Sequence, residues 1–598
     1  MSKKFAKRLA AIMCSVLFII TFSGCDTDKN PVKTGSEATS GTSSVSEASD
    51  LEAQVDFENA KEIDLTTLTA NDGTVQIEDK NITLTSGGTY ILSGTLEGGS
   101  LTVDADKEDV WLVLDNAKIH SENSCAINIK DAKNTYLVLK SGSENYLSDT
   151  ENYSVDESTD PDATLYCKND LIIGGKGSLE ISSAYDKAVH TKDTLTFAES
   201  TLKCDSTGAS IVAKDGIVIE SGNLSLTSGK DALKTTNETD DTLGNIVING
   251  GRINILSLGD GIVSQNALSI FGGEFDIKTG GGAENAETPT GNDFGGPWRD
   301  ESYSNTDEED EISLKAIKSA MALSIAGGEL SIDSEDDAIH SNDSVSISGG
   351  TFEISTGDDG IHADSETEIS GGKVNISASY EGIEGTKVVI TGGEISVVSA
   401  DDGINAAGGT DSTIIGYGRP DSFSSGNGRD NTIEISGGTV KVNSSGDGID
   451  SNGSIEIKGG TVFVSSSEGS ADSAIDFDAE AVITGGTLFA AGSSSMAESF
   501  SESSTQCVAQ IFLSSTQAGN KEITLASGGF TLSFTPDKGY NYVCVSSPDM
   551  KTGETYSLTA GSTEIESFTQ DFAVTSVGNA MGGIMGMQKP GGNMRPPQ

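Results

Sequence analysis

The 598-residue sequence predicts an all-β chain: a right-handed parallel β-helix of about 13 coils, each of roughly 22 residues, with β caps at both ends. Three observations predict it. A Gly-Gly pair begins at 250, 272, 327, 349, 371, 392, 437, 459 and 485, with steps of 21 or 22 over most of that stretch. A second marker keeps the same register, the apolar residue of a turn written Asp-Gly-Ile or a relative of it. It falls at Ile127, Leu165, Val189, Ile211, Leu233, Ile262, Ile317, Ile339, Ile361, Ile383, Ile404, Ile449 and Ile475. Between the markers apolar residues alternate. In the unit around Ser344, positions 345, 347, 352 and 354 are apolar, and helical spacing is absent. Three short strands and three turns in 22 residues make one coil, and coils stack at the strand spacing of about 4.8 Å. Right-handedness follows the general rule for parallel crossovers. A nonapeptide calcium roll is not implied, because no Gly-Gly-x-Gly-x-Asp recurs at a period of nine.

Taken in order, Lys3, Lys4, Lys7 and Arg8 precede the apolar run Leu9 to Phe22, and Phe22-Ser23-Gly24-Cys25 follows. This reads as a lipoprotein signal peptide over 1–24, with Cys25 the lipidated first residue of the mature chain. The body is then expected outside the cytoplasm, anchored to the outer face of the bacterial cell membrane and touching it only through the lipid. Residues 25–55 read as a flexible Ser/Thr/Gly-rich tether, and 56–118 as a strand-rich N-terminal cap. The helix occupies 119–489, with polar insertions near 147–162, 280–312 and 407–430 and a smaller one at 235–245. A C-terminal β cap follows at 490–575 and a disordered Gly/Met/Pro-rich tail at 576–598. Caps are needed because a β-helix otherwise ends in open strand edges.

Composition agrees: 72 glycines against 10 prolines suit thin β layers with tight turns. The net charge of −54 makes nucleic acid and anionic membrane surfaces poor partners. Two readings of the acidity stand side by side, solubility and chelation of cations by carboxylate oxygens. The cysteines outside the leader and Cys25 (Cys125, Cys167, Cys204, Cys507 and Cys544) show no CxxC spacing, so zinc is not expected, and no disulfide framework is implied.

Stacked coils turn equivalent positions into columns. The residue opening the turn reads Lys315, Asp337, Asp359, Glu381, Asp402 and Asp447, preceded in three coils by Asp336, Asp358 and Asp401. Three places on stand Lys318, His340, His362, Glu384, Asn405, Asp450 and Asp476; His190 belongs to the same column. Carboxylates one coil apart repel by about 1 kcal/mol in water and roughly 3–4 kcal/mol at an effective dielectric of 20. A cation between them relieves this, and calcium suits the oxygen ligands offered by the acids, Asn405 and turn carbonyls. The plainer reading is that Asp-Gly is a preferred turn pair whose Asp bonds its own backbone. Zinc or nickel on His340 and His362 is disfavoured, since oxygen ligands dominate.

Residues Ile82 to Leu96, the strands Val110–Leu114 and Leu137–Leu139, Glu144-Asn145-Tyr146-Leu147, the coils themselves and Ser503-Ser504-Thr505-Gln506 together resemble the bacterial carbohydrate-binding β-helix lipoprotein family. The resemblance covers about 56–575. It implies a pectate-lyase-like superhelix, calcium sites along the coils carried here by the acidic turn positions Asp336 to Asp402, and binding of plant cell-wall polysaccharide, notably acidic chains such as polygalacturonate. Bridging calcium would reverse the local sign on so acidic a protein. Trp298, Tyr303, Tyr380 and Tyr417 are candidate sugar-stacking rings, with Arg419, His340 and His362 as further ligand-binding candidates. A monomeric, non-catalytic binding protein is the first expectation. The alternatives are a calcium-dependent polysaccharide lyase using Lys315, Lys318 or Arg299 as base, and a structural surface adhesin.

Overall fold

The computed structural model describes residues 50–70, 73–153, 161–286, 313–407, 431–467 and 472–578. The described chain is all-β apart from two 3-10 turns, Leu51–Gln54 and Ala283–Asn285. Its strands stack in parallel into a solenoid that does not close as a barrel.

Each coil contributes one strand to each of three ladders. The turn ladder runs through Ile317–Ser319, Ile339–Ser341, Ile361–Ala363, Ile383–Glu384, Ile404–Ala406, Ile449–Ser451 and Ile475–Phe477, pairing isoleucine with isoleucine throughout. The second ladder includes Leu323–Ile325, Ser344–Ile347 and Glu366–Ile369; the third includes Glu329–Ser334, Thr351–Thr356 and Lys373–Ala378. Alternation decides what goes inside. In one coil Ile339, Val345, Ile347, Phe352 and Ile354 are buried, and such residues join one continuous core from Ile63 to Cys544. Burying each contributes roughly 1.5–3 kcal/mol.

Parallel pairing begins upstream of Ile127, inside the segment expected to be only a cap. Asn81–Leu84 pairs with Ser100–Asp104, which pairs with Ile127–Asp131, while Lys61–Asp64 pairs with Gly88–Glu97. Uneven steps between these coils hide them from a search for a fixed period. At the other end parallel stacking stops: Thr487–Gly492 pairs antiparallel with Tyr540–Ser546, which pairs antiparallel with Val508–Gln517. A separate four-stranded antiparallel sheet then packs on its own core around Phe489, Tyr540 and Tyr556. All five described cysteines are free thiols, including Cys507 and Cys544.

The two glycine markers have different causes. The second glycine of each Gly-Gly pair has a left-handed backbone, as at Gly350 (φ 102°) and Gly393 (φ 90°), where a β-carbon is strained. The glycine of Asp-Gly-Ile is not left-handed; it is there because the coil interior has no room. A β-carbon on Gly403 would lie 2.1 Å from Val442 Cγ1 and 2.6 Å from the Gly448 carbonyl oxygen. Where space allows, alanine stands instead, as at Ala316 and Ala338, both fully buried.

Buried hydroxyls form a column that the apolar pattern does not announce. Ser206, Ser228, Ser257, Thr279, Ser334 and Thr356 succeed one another at the end of the third ladder. They satisfy turn carbonyls, as Ser257 Oγ does at Gly259 (2.9 Å) and Ser399 Oγ at Asp401 (3.1 Å). Gly403→Ala is therefore expected to lower the unfolding free energy by about 1–3 kcal/mol in urea titrations. Gly529→Ala, where a β-carbon meets nothing within 4 Å, is expected to change it by less than about 1 kcal/mol.

Candidate functional site: an acidic turn column

The turn ladder fixes the column. Because Ile317, Ile339, Ile361, Ile383, Ile404 and Ile449 are in register, the residues two places earlier stack one coil apart. Backbone bonds continue through them: Ala316 N–H donates to the Asp337 carbonyl, Gly360 N–H to Glu381, and Gly403 N–H to Asp447, each at 3.0 Å. Those carbonyls are engaged by the preceding coil, which leaves side-chain oxygens as the column's remaining ligands.

The carboxylates also tie coil to coil. Asp337 Oδ1 accepts the Asp359 amide (3.1 Å), Asp402 Oδ1 the Asp447 amide (2.6 Å), and Asp447 Oδ1 the Ser473 amide. The plainer turn reading has each Asp bonding its own backbone; here the bond crosses to the following coil.

Counter-charge is distributed unevenly. Upstream, the chain supplies its own: Lys187 pairs with Asp162 (3.0 Å) and Asp186 (2.5 Å), and Lys234 with Asp231 (2.8 Å). Lys315, 1% exposed, places its ammonium 2.8 Å from Asp336 and 2.7 Å from Asp337. Burial opposes ionisation of Asp337, but Lys315 and the His340 hydrogen bond outweigh it and hold its carboxyl well below the usual carboxylate range. Lys318 donates to Ser313 Oγ (3.2 Å) and its charge faces Asp260.

The two histidines stack at 4.9 Å, nearly parallel. His340 Nδ1 bonds Asp337 and Nε2 bonds Asn342, both at 2.8 Å. His362 Nδ1 faces Asp359 (3.1 Å) and Glu384 (2.5 Å), and Nε2 faces Asp364 (3.3 Å). Burial alone would lower the His362 pKa; the hydrogen bonds to Asp359, Asp364 and Glu384 raise it well above its ordinary value. Both rings are buried with every nitrogen engaged, so they act inside the column and present nothing to a sugar. Asp364 was invisible to the column argument because it lies two residues beyond His362 in the turn.

Three of the turn-opening acids further on differ. Among the described residues no lysine, arginine or histidine pairs with Glu381, Asp402 or Asp447. Burial and the charge of Asp447 push the Asp402 carboxyl up to about 9. Burial, with the charges of Asp476 and Asp450, pushes Asp447 up to about 8 against the Ser473 amide. Burial and Glu384 raise Glu381 well above its ordinary range. Beside them Asn405, fully buried, donates from Nδ2 to Glu381 Oε2 (3.0 Å), and its Oδ1 has no hydrogen-bond partner. An orphaned buried oxygen among buried and half-buried acids fits a hard cation.

Two tighter acid groups lie upstream, Asp336–Asp337–Asp358 and Asp359–His362–Glu384, with ligand atoms within 4.8 Å of one another. Lys315 already neutralises the first, and a protonated His362 the second. Proximity therefore favours those groups, whereas uncompensated charge favours Glu381, Asp402, Asn405 and Asp447; the charge argument decides, since a buried ammonium occupies the role a metal would take. Tyr380 is half-buried beside this stretch, and burial and the hydrogen-bonded Asp401 raise its phenol. Asp401 and Asp450 sit at the same turns, Asp450 in register with Asn405. Cys25, Trp298, Arg299, Tyr303, Tyr417 and Arg419 lie outside the described residues. Among the described residues no helix is long and apolar enough to cross a membrane.

A parallel β solenoid carrying a ladder of acidic turns defines a class of extended, surface-presenting repeat proteins. The family model for carbohydrate-binding domain-containing proteins matches residues 78–360 and 359–567, and the chain belongs to that family. A carbohydrate-binding domain-containing protein of Acetivibrio thermocellus is 28% identical over 273 residues, which is 45% of this chain and 90% of the relative. A solved structure described as the polysaccharide lyase-like protein from C. thermocellum, a gadolinium derivative, is 28% identical and covers 37% of this chain and 91% of its own, with a TM-score of 0.36.

The shifted acids give a signed expectation. Carboxyls with folded pKa values raised to about 9 and about 8 hold protons that the unfolded chain releases, so stability falls as pH rises from about 4 toward 9. Asp337, shifted the other way, contributes fully across that window and loses its contribution only as pH falls further. Melting temperature in chelator is expected to drop between pH 5 and pH 9, and Asp402→Asn and Asp447→Asn each to flatten the drop.

Proposed function

We propose that this chain is a non-catalytic, calcium-assisted carbohydrate-binding protein, a monomer displayed on the outer face of the bacterial cell membrane by a lipid on Cys25. Its ligand is plant cell-wall polysaccharide, with acidic chains such as polygalacturonate first, presented along a right-handed superhelix. Membership of the carbohydrate-binding family supports the sugar. The observation that carries the calcium is the run Glu381, Asp402, Asn405 and Asp447, buried or half-buried acids that pair with no cation among the described residues, beside an unpartnered amide oxygen.

These residues would hold the ion, with Glu384, Asp401 and Asp450 from the same turns. Calcium accepts six to eight oxygen ligands, more than this set needs to supply, and so leaves positions for a uronate carboxylate. Bound there, it supplies positive charge that joins two anionic partners. Tyr380, half-buried at the rim, offers a ring edge to a sugar. The lyase reading needs a base within reach of the polymer. Lys315 does not meet that need, since its ammonium is buried between two carboxylates. The same pairing favours charge neutralisation over proton abstraction.

Polygalacturonate pulldown by the purified protein is expected with calcium and not with chelator, without absorbance from unsaturated products. Glu381→Gln and Asp402→Asn together are expected to abolish the calcium dependence. Calcium at a hundredfold excess over its Kd is expected to stabilise the fold by about 2.7 kcal/mol. Growing absorbance lost in Lys318→Ala would establish the lyase instead, and retention on no polysaccharide would favour an adhesin.

A further inference from the structure

We propose a second saccharide site, independent of the turn column, on the outer face of the third ladder at its N-terminal end, taking a sugar that bears a carboxylate. A half-open cavity of about 320 Å³ lies there, lined chiefly by Thr95, Glu97, Lys118, His120, Tyr146 and Ser148. That volume is at the lower end of ligand pockets (roughly 300–1,000 Å³), with room for about one substituted sugar ring.

The register assembles it. Thr95, Lys118 and Tyr146 pair across successive strands, and so do Glu97, His120 and Ser148, two residues further along the same strands. Residues two apart share a face, so the two files stand side by side, each stepping by the strand spacing of about 4.8 Å. Such files suit a ligand carrying polar groups all round its ring.

Its charges are uncommitted. Acids outnumber lysines and arginines by 91 to 37, and neighbouring cations are taken: Lys130 by Asp104, Lys140 by Asp115 and Lys203 by Glu180. Among the described residues Lys118 has no ion pair or hydrogen bond. His120 Nδ1 is held by Ser148 Oγ (2.8 Å), which fixes the ring and leaves Nε2 without a partner. A free ammonium and an oriented imidazole aimed into one cavity recognise an anion that also accepts hydrogen bonds. Glu97, equally unpaired, offers an acceptor for hydroxyls, and the Tyr146 ring offers an apolar face.

The wall is rigid. Asp149, buried, accepts from Tyr153 Oη (2.8 Å), Thr164 Oγ1 (2.7 Å), Ser183 Oγ (3.2 Å) and the amides of Ala184 (2.7 Å) and Tyr185 (3.3 Å). Tyr153 stacks on Tyr185 at 3.8 Å. Five donors saturate Asp149, so it is not a metal ligand, and it holds the adjacent Ser148 in place. No carboxylate bonds His120 Nε2, so the Ser148–His120 pair lacks the orienting acid of a nucleophilic triad. Binding, not acyl transfer, is the role assigned.

Calorimetry of the full chain in chelator, with trigalacturonate as probe and neutral galactotriose as control, tests this. Saturable, chelator-resistant binding of trigalacturonate is expected, at least tenfold weaker in Lys118→Met and in His120→Gln and unchanged in Asp402→Asn. In the wild type, the imidazole resonance that His120→Gln removes is expected to shift on addition of the probe, a readout that needs no variant to bind. Absent chelator-resistant binding, equal binding of the neutral trimer, or unaltered affinity in both variants overturns the proposal. Calcium-dependent pulldown by the column is scored separately, so either site can fail while the other stands.

Discussion

Stacking a turn on copies of itself, one strand spacing apart, is the constraint on which this molecule depends. A residue type that suits one turn is repeated by its neighbours at about 4.8 Å, and an acid repeated at that distance costs about 3–4 kcal/mol per pair at an effective dielectric of 20. The chain answers in three ways. It inserts a cation, as Lys315 does between Asp336 and Asp337. It interleaves imidazoles, as with His340 and His362 between Asp337 and Glu384. And it donates backbone amides from the next coil, as Asp447 does to Asp402. Among the described residues no cation or imidazole pairs with Glu381, Asp402 or Asp447, and the amides that bond them carry no full charge. The raised pKa values of Glu381, Asp402 and Asp447 are the signature of that shortfall.

The coil repeat was legible in the sequence because it is written twice, in the Gly-Gly pairs and in the turn isoleucines, and both sit where the fold is least tolerant. Gly350 needs a left-handed backbone, and Ile361 fills the core. The columns followed directly, since register converts sequence spacing into adjacency; the pairing of Lys318 with His340 and of His340 with His362 is the spacing seen in space. What the spacing could not carry was depth. It placed His340 and His362 in a column without saying that both rings are buried and fully bonded. Nor did it say why the turn needs a glycine: the side chain of Val442, on the third-ladder strand that follows Gly403, is what excludes a β-carbon.

Other features were illegible for a different reason. The cavity around His120 lies where coils are irregular, so no period draws attention to it, and its residues, Thr95, Lys118 and Tyr146, come from strands of ten, eleven and five residues with a bulge between Ser93 and Gly94. Local irregularity of this kind erases repeat signal and at the same time makes concavity, because regular stacking yields a flat face. The serine and threonine column escaped because hydroxyls are common throughout the chain, and only their burial distinguishes Ser257 or Ser334 from surface residues.

These points give the solenoid a direction that its repeat does not show. In a one-dimensional array each coil is stabilised chiefly by its two neighbours, so a change in charge at one turn is felt locally and not across the whole chain. Coils from Lys187 to His362 carry counter-charge within their own side chains, whereas among the described residues no lysine, arginine or histidine pairs with Glu381, Asp402 or Asp447. Two halves with nearly the same backbone therefore differ in what they ask of the surroundings. The upstream half is self-contained and can keep a constant shape, as a rigid cavity beside Asp149 requires. The downstream half carries acids whose raised pKa values mark a charge that its described side chains do not offset. A partner that brought carboxylates to that half would add to the charge already there, and a cation held between the two would offset both.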